Sequence, residues 1–171
     1  MANIGIFYGS TEGNTERIAT KIQELFGGED EVALHNVNSA SSDDMAEYKY
    51  LILASSTWDI GELQEDWDTF IDEIEDVDYD GKVVTFIGLG DAEGYPDTFN
   101  EAPGLIHERI KDSGAKFVGF WPTEGYDFEE SQSLVDGKFL GVVIDEDNQA
   151  DLTDERLKKW VEQLKDEGFG S

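Results

Sequence analysis

The segment Ile4-Gly-Ile-Phe-Tyr-Gly-Ser-Thr-Glu-Gly-Asn-Thr15 decides how the rest of the chain is read. Residues 4–8 are a compact apolar run, closed by Gly9, that suits a buried strand. The next residues make a loop dense in glycine and hydroxyls, running into apolar positions Ile18, Ile22 and Leu25 at the four-and-three spacing of one helix face. Strand, tight loop and amphipathic helix together make the first half of a βαβ unit, and the pattern continues outward from there. Further apolar runs occupy 32–37, 50–54, 83–89, 117–121 and 139–144. Between them lie helical patterns at Trp67, Phe70, Ile71 and Ile74, at Leu105, Ile106 and Ile110, and at Leu157, Trp160, Val161 and Leu164. Gly27 and Gly114 stand where helix C-caps belong, and Thr153 before Asp154 and Glu155 reads as an N-cap with acids in the first turn. Alternating elements with strands this apolar imply an α/β three-layer sandwich, a parallel sheet covered by helices on both faces through right-handed crossovers.

The chain of 171 residues amounts to one domain, 1–171, and a chain of this size buries about 68–70% of its extended surface without needing disulfides or metals. With 39% hydrophobic and 30% charged residues and only three Pro, its composition is globular and not that of a disordered or fibrous chain. The longest apolar runs fall well short of the roughly 20 residues of a membrane span, and Met1 leads directly into the first strand without a signal-peptide pattern. The expectation is a cytoplasmic protein that does not insert into membranes. Cysteine is absent, which excludes disulfides, a thiol nucleophile, thiolate zinc and cysteine-ligated iron–sulfur clusters. Twelve Lys and Arg against 40 Asp and Glu give a formal net charge of −28, a field that repels nucleic acid and anionic lipid and favours basic partners. The two histidines, His35 and His107, have no ligand-like spacing and suit surface or core-edge positions better than a metal site.

In open parallel sheets ligands bind beyond the carboxyl ends of the strands, so the loops after the first, third and fourth strands carry the functional reading. The first, Gly9 to Thr15, can surround a phosphate with backbone N–H groups and hydroxyls at the positive end of a helix. It contains no Lys or Arg, and it matches neither the Gly-Lys-Ser/Thr loop of nucleoside triphosphatases nor the Gly-x-Gly-x-x-Gly dinucleotide fingerprint. A monophosphate held by neutral donors is what remains. The second loop, Ser55-Ser-Thr-Trp-Asp-Ile-Gly-Glu-Leu63, places Trp58 at the same mouth, and the third, Gly88-Leu-Gly-Asp-Ala-Glu-Gly-Tyr-Pro-Asp97, adds Tyr95. Two aromatics on facing loops beside a phosphate site suggest a flat ring held between them.

At these loops the sequence resembles the flavodoxins over essentially its whole length. Residues 9–15 resemble that family's FMN phosphate loop, 57–63 its first isoalloxazine loop and 90–96 its second. The run Trp-Pro-Thr-Glu-Gly-Tyr-Asp-Phe at 121–128, followed by Gly137-Lys-Phe-Leu-Gly141 and Asp145-Glu-Asp-Asn-Gln149, resembles the long-chain subclass, whose last strand is split by an insertion, here the polar stretch 123–136. The resemblance implies a five-stranded sheet of order 2-1-3-4-5, and flavodoxins are themselves a known instance of FMN bound at the switch point of such a sheet, so that placement is the family's. It further implies that Ser10, Thr11, Glu12, Gly13, Asn14 and Thr15 contact the phosphate, with Glu12 offering only its amide. Ser55, Ser56 and Thr57 line the ribityl chain and ring edge, Trp58 and Tyr95 flank the ring, and Asp59, Ile60, Gly61, Leu89, Gly90, Asp91 and Asp97 surround its polar edge, largely through backbone groups.

On this likeness the protein is a low-potential one-electron carrier with non-covalent FMN, a ferredoxin substitute with no catalytic residue. Negative charge on the reduced ring meets Asp59, Glu62, Asp91, Glu93 and Asp97 and no nearby cation, which lowers the potential. The implied partners are basic-faced redox proteins: a reductase or photosystem as donor, and nitrogenase reductase, ferredoxin reductase or a similar protein as acceptor, met by a monomer. The alternative, a flavodoxin-like NAD(P)H quinone reductase, needs a second-substrate pocket or a nicotinamide domain. A phospho-acceptor receiver domain needs acids after the first strand and an Asp ending the third, where this chain has Ser10 and Ser55.

Overall fold

The computed structural model describes residues 3–9, 14–58, 62–63, 65–90, 101–126, 131, 133–145 and 149–170. Its strands are β1 (Ile4–Tyr8), β2 (Val32–Asn36), β3 (Tyr50–Trp58), β4 (Glu62–Leu63), β5 (Val83–Leu89), β6 (Lys116–Phe117), β7 (Trp121–Pro122), β8 (Leu134–Val135), β9 (Lys138–Phe139) and β10 (Gly141–Ile144). Its α-helices are α1 (Asn14–Phe26), α2 (Ser42–Ala46), α3 (Glu65–Ile74), α4 (Glu101–Ile110) and α5 (Thr153–Asp166). The main sheet runs β2-β1-β3-β5-β10, every neighbouring pair parallel. With β10 as the fifth major strand, this is the expected 2-1-3-4-5 order.

Side chains alternate across the sheet as the period of two requires. Ile4, Ile6, Tyr8, Tyr50, Ile52, Ala54 and Ile87 point to one face, where Ile18 and Ile22 of α1 and Leu157, Trp160 and Leu164 of α5 cover them. Phe7, Leu51, Leu53, Val84 and Phe86 point to the other, under Trp67, Phe70 and Ile74 of α3 and Ile106 and Ile110 of α4. Each fully buried Ile, Leu or Phe contributes about 1.5–3 kcal/mol relative to exposure, so the two apolar layers supply the main driving force for the sandwich.

The ends of α1 and α5 show why the chain turns where it does. Gly27, at φ +118°, donates to Glu24 O while Gly28 donates to Gln23 O, a pair of bonds that satisfies the last carbonyls of α1. At the end of α5, Gly168 and Phe169 donate to Lys165 O and Leu164 O in the same way. Phe169 is thereby laid against Phe26 and Tyr50, with ring centroids 6.3 and 5.1 Å away. Thr153 is the first residue of α5 and not its N-cap; the cap is Leu152, reached through a 3₁₀ turn at Ala150–Leu152 that brings the chain in already helical. Gly114 lies beyond the end of α4 in the turn toward β6, also at positive φ.

The apolar runs 117–121 and 139–144 each divide between two sheets. Lys116 and Phe117 pair with Val83 and Val84 of β5. Gly119 then turns at φ +78°, and Trp121 leaves to pair with Phe139. The chain returns to β5 only at Gly141, opposite Phe86. The excursion between β6 and β10 is a three-stranded antiparallel sheet of order β7-β9-β8, closed by a hairpin at Asp136 and Gly137, both at positive φ. Tyr126 ties it down, donating to Val143 O at 2.5 Å while accepting from the Trp121 indole at 2.9 Å, with the Arg156 guanidinium 4.1 Å above its ring. Helix α2, which apolar periodicity does not reveal, is opened by Ser41, whose N–H donates to the Asp44 carboxylate three residues on.

Candidate functional site

Strand β1 feeds α1 on one face of the sheet, and its neighbour β3 feeds α3 on the other. The two chains therefore diverge at the carboxyl ends of β1 and β3, opening the crevice in which doubly wound sheets bind ligands. On the β1 side the ladder ends with Gly9, whose N–H donates to Ala54 O at 3.2 Å, and α1 begins at Asn14. Thr15, in the first turn, is only 2% exposed. The first N–H groups of a helix have no partner inside it and attract an anion. Residues 10–13, which carry the glycine and hydroxyls of the segment leading into this helix, lie outside the described residues.

On the β3 side, Ser55 is fully buried and level with Gly88 of β5, and Ser56 is level with Leu89. The strand continues to Trp58 and folds back, Thr57 opposite Leu63 and Trp58 opposite Glu62, so the segment read as a ring-binding loop is an antiparallel hairpin reaching past the end of the sheet. Next to it β5 ends at Leu89, buried, and Gly90 donates to Ile144 O at 3.1 Å, fixing the point where the third loop departs. Thr15, Ser55, Leu89 and Gly90 thus lie at one end of the sheet as expected, and Asn14, Ser56, Thr57 and Trp58 are placed there by their backbone. Ser10, Thr11, Glu12, Gly13, Asp59, Ile60, Gly61, Asp91, Tyr95 and Asp97 lie outside the described residues.

The local field at this end is negative. The Tyr8 phenol, last in β1, is held above its ordinary value of 10.0 first by burial and then by the charge of Glu16. First turns of α1, α4 and α5 carry Glu16, Glu101 and Asp154 with Glu155, and Asp66 and Asp68 open α3. Among the described residues no group of His, Cys, Asp and Glu could hold a metal. His35 and His107 sit at core edges: His35 Nε2 is 2.7 Å from the Tyr48 hydroxyl with its ring stacked on Phe7 at 4.6 Å, and His107 lies edge-on to Phe117 at 4.7 Å.

One contact at the crevice is not legible in the sequence. The indole N–H of Trp67 in α3 donates to Ala54 O at 2.7 Å, the same oxygen that accepts from Gly9. Helical spacing marks Trp67 only as a core residue, and nothing in a helix-face pattern distinguishes an indole that merely packs from one that also reaches a strand carbonyl.

A doubly wound parallel sheet of order β2-β1-β3-β5-β10, with a crevice between the carboxyl ends of β1 and β3 and an antiparallel pairing beyond the end of β3, defines the flavodoxin-like fold class. Comparison with known proteins carries this to a family. The flavodoxin family model matches residues 6–160. A flavodoxin of Nostoc sp. is 51% identical over 167 residues, covering 98% of this chain and 97% of the relative, and flavodoxin 2 of Escherichia coli is 46% identical over 96% of each. Among solved structures, Fusobacterium nucleatum flavodoxin bound to flavin mononucleotide superposes with a TM-score of 0.90 at 32% identity, covering 98% of this chain and 99% of the other. The chain belongs to the flavodoxin family.

Proposed function

We propose that the whole chain acts as one FMN-binding domain, a cytoplasmic monomer that shuttles electrons between basic-faced redox proteins. Membership of the flavodoxin family makes it an electron-transfer protein and not an enzyme, with FMN as its cofactor. Bound FMN supplies the electron-accepting ring; the chain's own residues bind, orient and shield it. The observation that supports the site assignment is the cation-free, hydroxyl-rich sequence between Gly9 and Thr15, whose two ends, Gly9 on the β1–β3 ladder and the start of α1, lie at the β1–β3 crevice. In this reading Ser10, Thr11, Glu12, Gly13, Asn14 and Thr15 hold the phosphate, Ser55, Ser56 and Thr57 line the ribityl chain, and Trp58 and Tyr95 flank the ring. Asp59, Ile60, Gly61, Leu89, Gly90, Asp91 and Asp97 surround the polar edge. A chain with 40 acids and 12 bases raises the energy of added electrons at the ring and so supports the low-potential assignment.

Docking is assigned to the acids beside the hairpin. Glu62 pairs with Trp58 in the hairpin, Glu65 opens α3, and Asp66 and Asp68 come next, so four acids follow one another in sequence from the hairpin's return into the first turn of α3. A reductase or photosystem suits this face as donor, and nitrogenase reductase or ferredoxin reductase as acceptor, since basic surfaces steer quickly and release quickly. Titrating apoprotein with FMN and riboflavin tests the site. The parent binds both. Thr15→Ala loses about tenfold in FMN affinity, the cost of an unpaired buried polar partner, and little in riboflavin affinity. A parent that binds no flavin, or a Thr15→Ala loss equal for both ligands, overturns the assignment.

A further inference from the structure

The Ala54 carbonyl occupies an unusual position. It lies at the base of the crevice, accepts the Gly9 N–H at 3.2 Å on the side of the phosphate turn, and accepts the Trp67 indole N–H at 2.7 Å on the side of the hairpin. Both Ala54 and Trp67 are fully buried, so the indole bond is shielded from competing water. Between them the chain runs out along β3, returns along β4 and enters α3. Within the described part of that excursion, hairpin pairing amounts to two cross-strand positions, Thr57 with Leu63 and Trp58 with Glu62. A two-stranded hairpin is marginal by itself, and α3 can fix its return only if α3 is itself fixed to β3.

We propose that Trp67 is a positioning residue for the ring-binding half of the site. Its indole N–H closes the base of the 55–66 excursion onto the strand that also anchors the phosphate turn, and so sets the hairpin's place relative to that turn. The role rests on the FMN reading, since it concerns how the chain holds that ligand's ring. Because the Ala54 oxygen keeps Gly9 as a donor, removing the indole leaves no orphaned acceptor, and the loss falls on hairpin placement.

The experiment compares the parent, Trp67→Phe and Ile74→Val. Phe keeps a ring in the space beside Phe70, whose centroid is 5.6 Å away, and lacks the donor. Ile74→Val trims the same buried face of α3 a full two turns from the hairpin. Dissociation constants for FMN and for riboflavin are measured on each apoprotein together with urea stability. Trp67→Phe is expected to weaken FMN and riboflavin by the same factor, about five- to tenfold, while Ile74→Val leaves both unchanged. Unchanged affinity in Trp67→Phe, a loss confined to FMN, or an equal loss in Ile74→Val each overturns the proposal, whereas a parent that ignores FMN overturns the cofactor reading beneath it. Should Trp67→Phe fail to fold, hydrogen exchange of the Trp67 indole N–H in the parent decides. Coupling between two events is reciprocal, so both ligands must slow that exchange, and exchange indifferent to them overturns the role.

Discussion

The two ends of the sheet are built on opposite principles. At the amino ends, Lys49 precedes β3, Lys82 precedes β5 and Lys116 opens β6, while Arg109 and Lys111 close α4 and Lys165 closes α5. The Lys82 ammonium donates to Ala46 O at 3.0 Å and to Tyr48 O, capping the end of α2 at the cost of a lowered pKa from its own burial. Arg109 reaches Asp72 of α3 and Glu75 just beyond it at 3.2 and 3.1 Å. Lys82, Arg109, Lys111 and Lys165 there are engaged by the fold's own carbonyls and carboxylates, and Lys49 lies over the Tyr50 ring. At the carboxyl ends the helices begin with acids, and the connections carry glycine, hydroxyls and Trp58. One end closes the sandwich; the other is where the proposed cofactor site and docking face lie. The contrast explains how a chain of net charge −28 can be stable and still present a directed field.

Breaking the frame of the sheet itself should cost the most. Gly141 starts β10 opposite Phe86, and a Cβ there would be driven into the Phe86 carbonyl oxygen, which belongs to the ladder and cannot move aside. Gly141→Ala should lose about 3 kcal/mol or more of urea stability, as severe overpacking does. Thr15→Ala, at the carboxyl end, should change stability far less than it changes FMN affinity. Similar stability losses in both would erase the distinction.

The charge arrangement can be sharpened by paired neutralisations. Asp66→Asn with Asp68→Asn should slow association with a basic redox partner about two- to fivefold at low ionic strength, an effect lost within a Debye length's screening at high salt. Lys49→Gln with Lys116→Gln makes the protein more negative, at the far end of the sheet, and should leave the rate the same or slightly raised. Stopped-flow rates across a salt series check this. Changes of equal size and opposite sign from the two pairs would mean that total charge governs encounter and its placement does not.

Much of this contrast is legible in the sequence. Strand runs at 4–8, 50–54 and 83–89 declare the parallel sheet because a strand buried on both faces must be apolar throughout. The segment from Gly9 to Thr15 reads as a phosphate loop by its glycine and hydroxyls and by the cations it lacks, and residues 10–13 lie outside the described residues. The hidden features have a common cause: a periodicity names a face but never the atom across from it. The run 117–121 reads as one strand because both sheets bury it, and only the positive φ of Gly119 separates them. That conformation is demanded by position, since a Cβ there would collide with the Thr85 hydroxyl and approach the Trp160 indole, whose N–H donates to Gly119 O at 2.9 Å. Trp67 likewise reads as apolar bulk and Tyr126 as part of a polar stretch, although their N–H and O–H groups reach Ala54 and Val143. Helix α2 leaves a trace in Ser41-x-x-Asp44, a capping pattern too short to stand out without an apolar stripe behind it.

The smallest effect concerns pH at the closed end. His107, in the last turn of α4, lies edge-on to Phe86 and Phe117 at 6.0 and 4.7 Å, and its pKa is pushed below the ordinary 6.5. Burial is the largest cause, and Lys111 adds to it, while Glu108 and Asp112 oppose both. Below about pH 6.5 the unfolded chain therefore takes up a proton that the folded chain resists, so this residue withdraws stability as pH falls through the unfolded value. Protonation of carboxylates acts the other way by relieving the repulsion of a strongly negative chain, and a bare pH profile would mix the two. Comparing the parent with His107→Gln separates them, because every carboxylate and His35 are common to both. The parent's advantage or deficit in urea stability should shift against it between about pH 7.5 and pH 5, the variant losing less over that interval. A stability difference that stays constant across the two conditions would show that His107 titrates alike in the folded and unfolded chains, and that its aromatic surroundings are open enough to solvate the imidazolium.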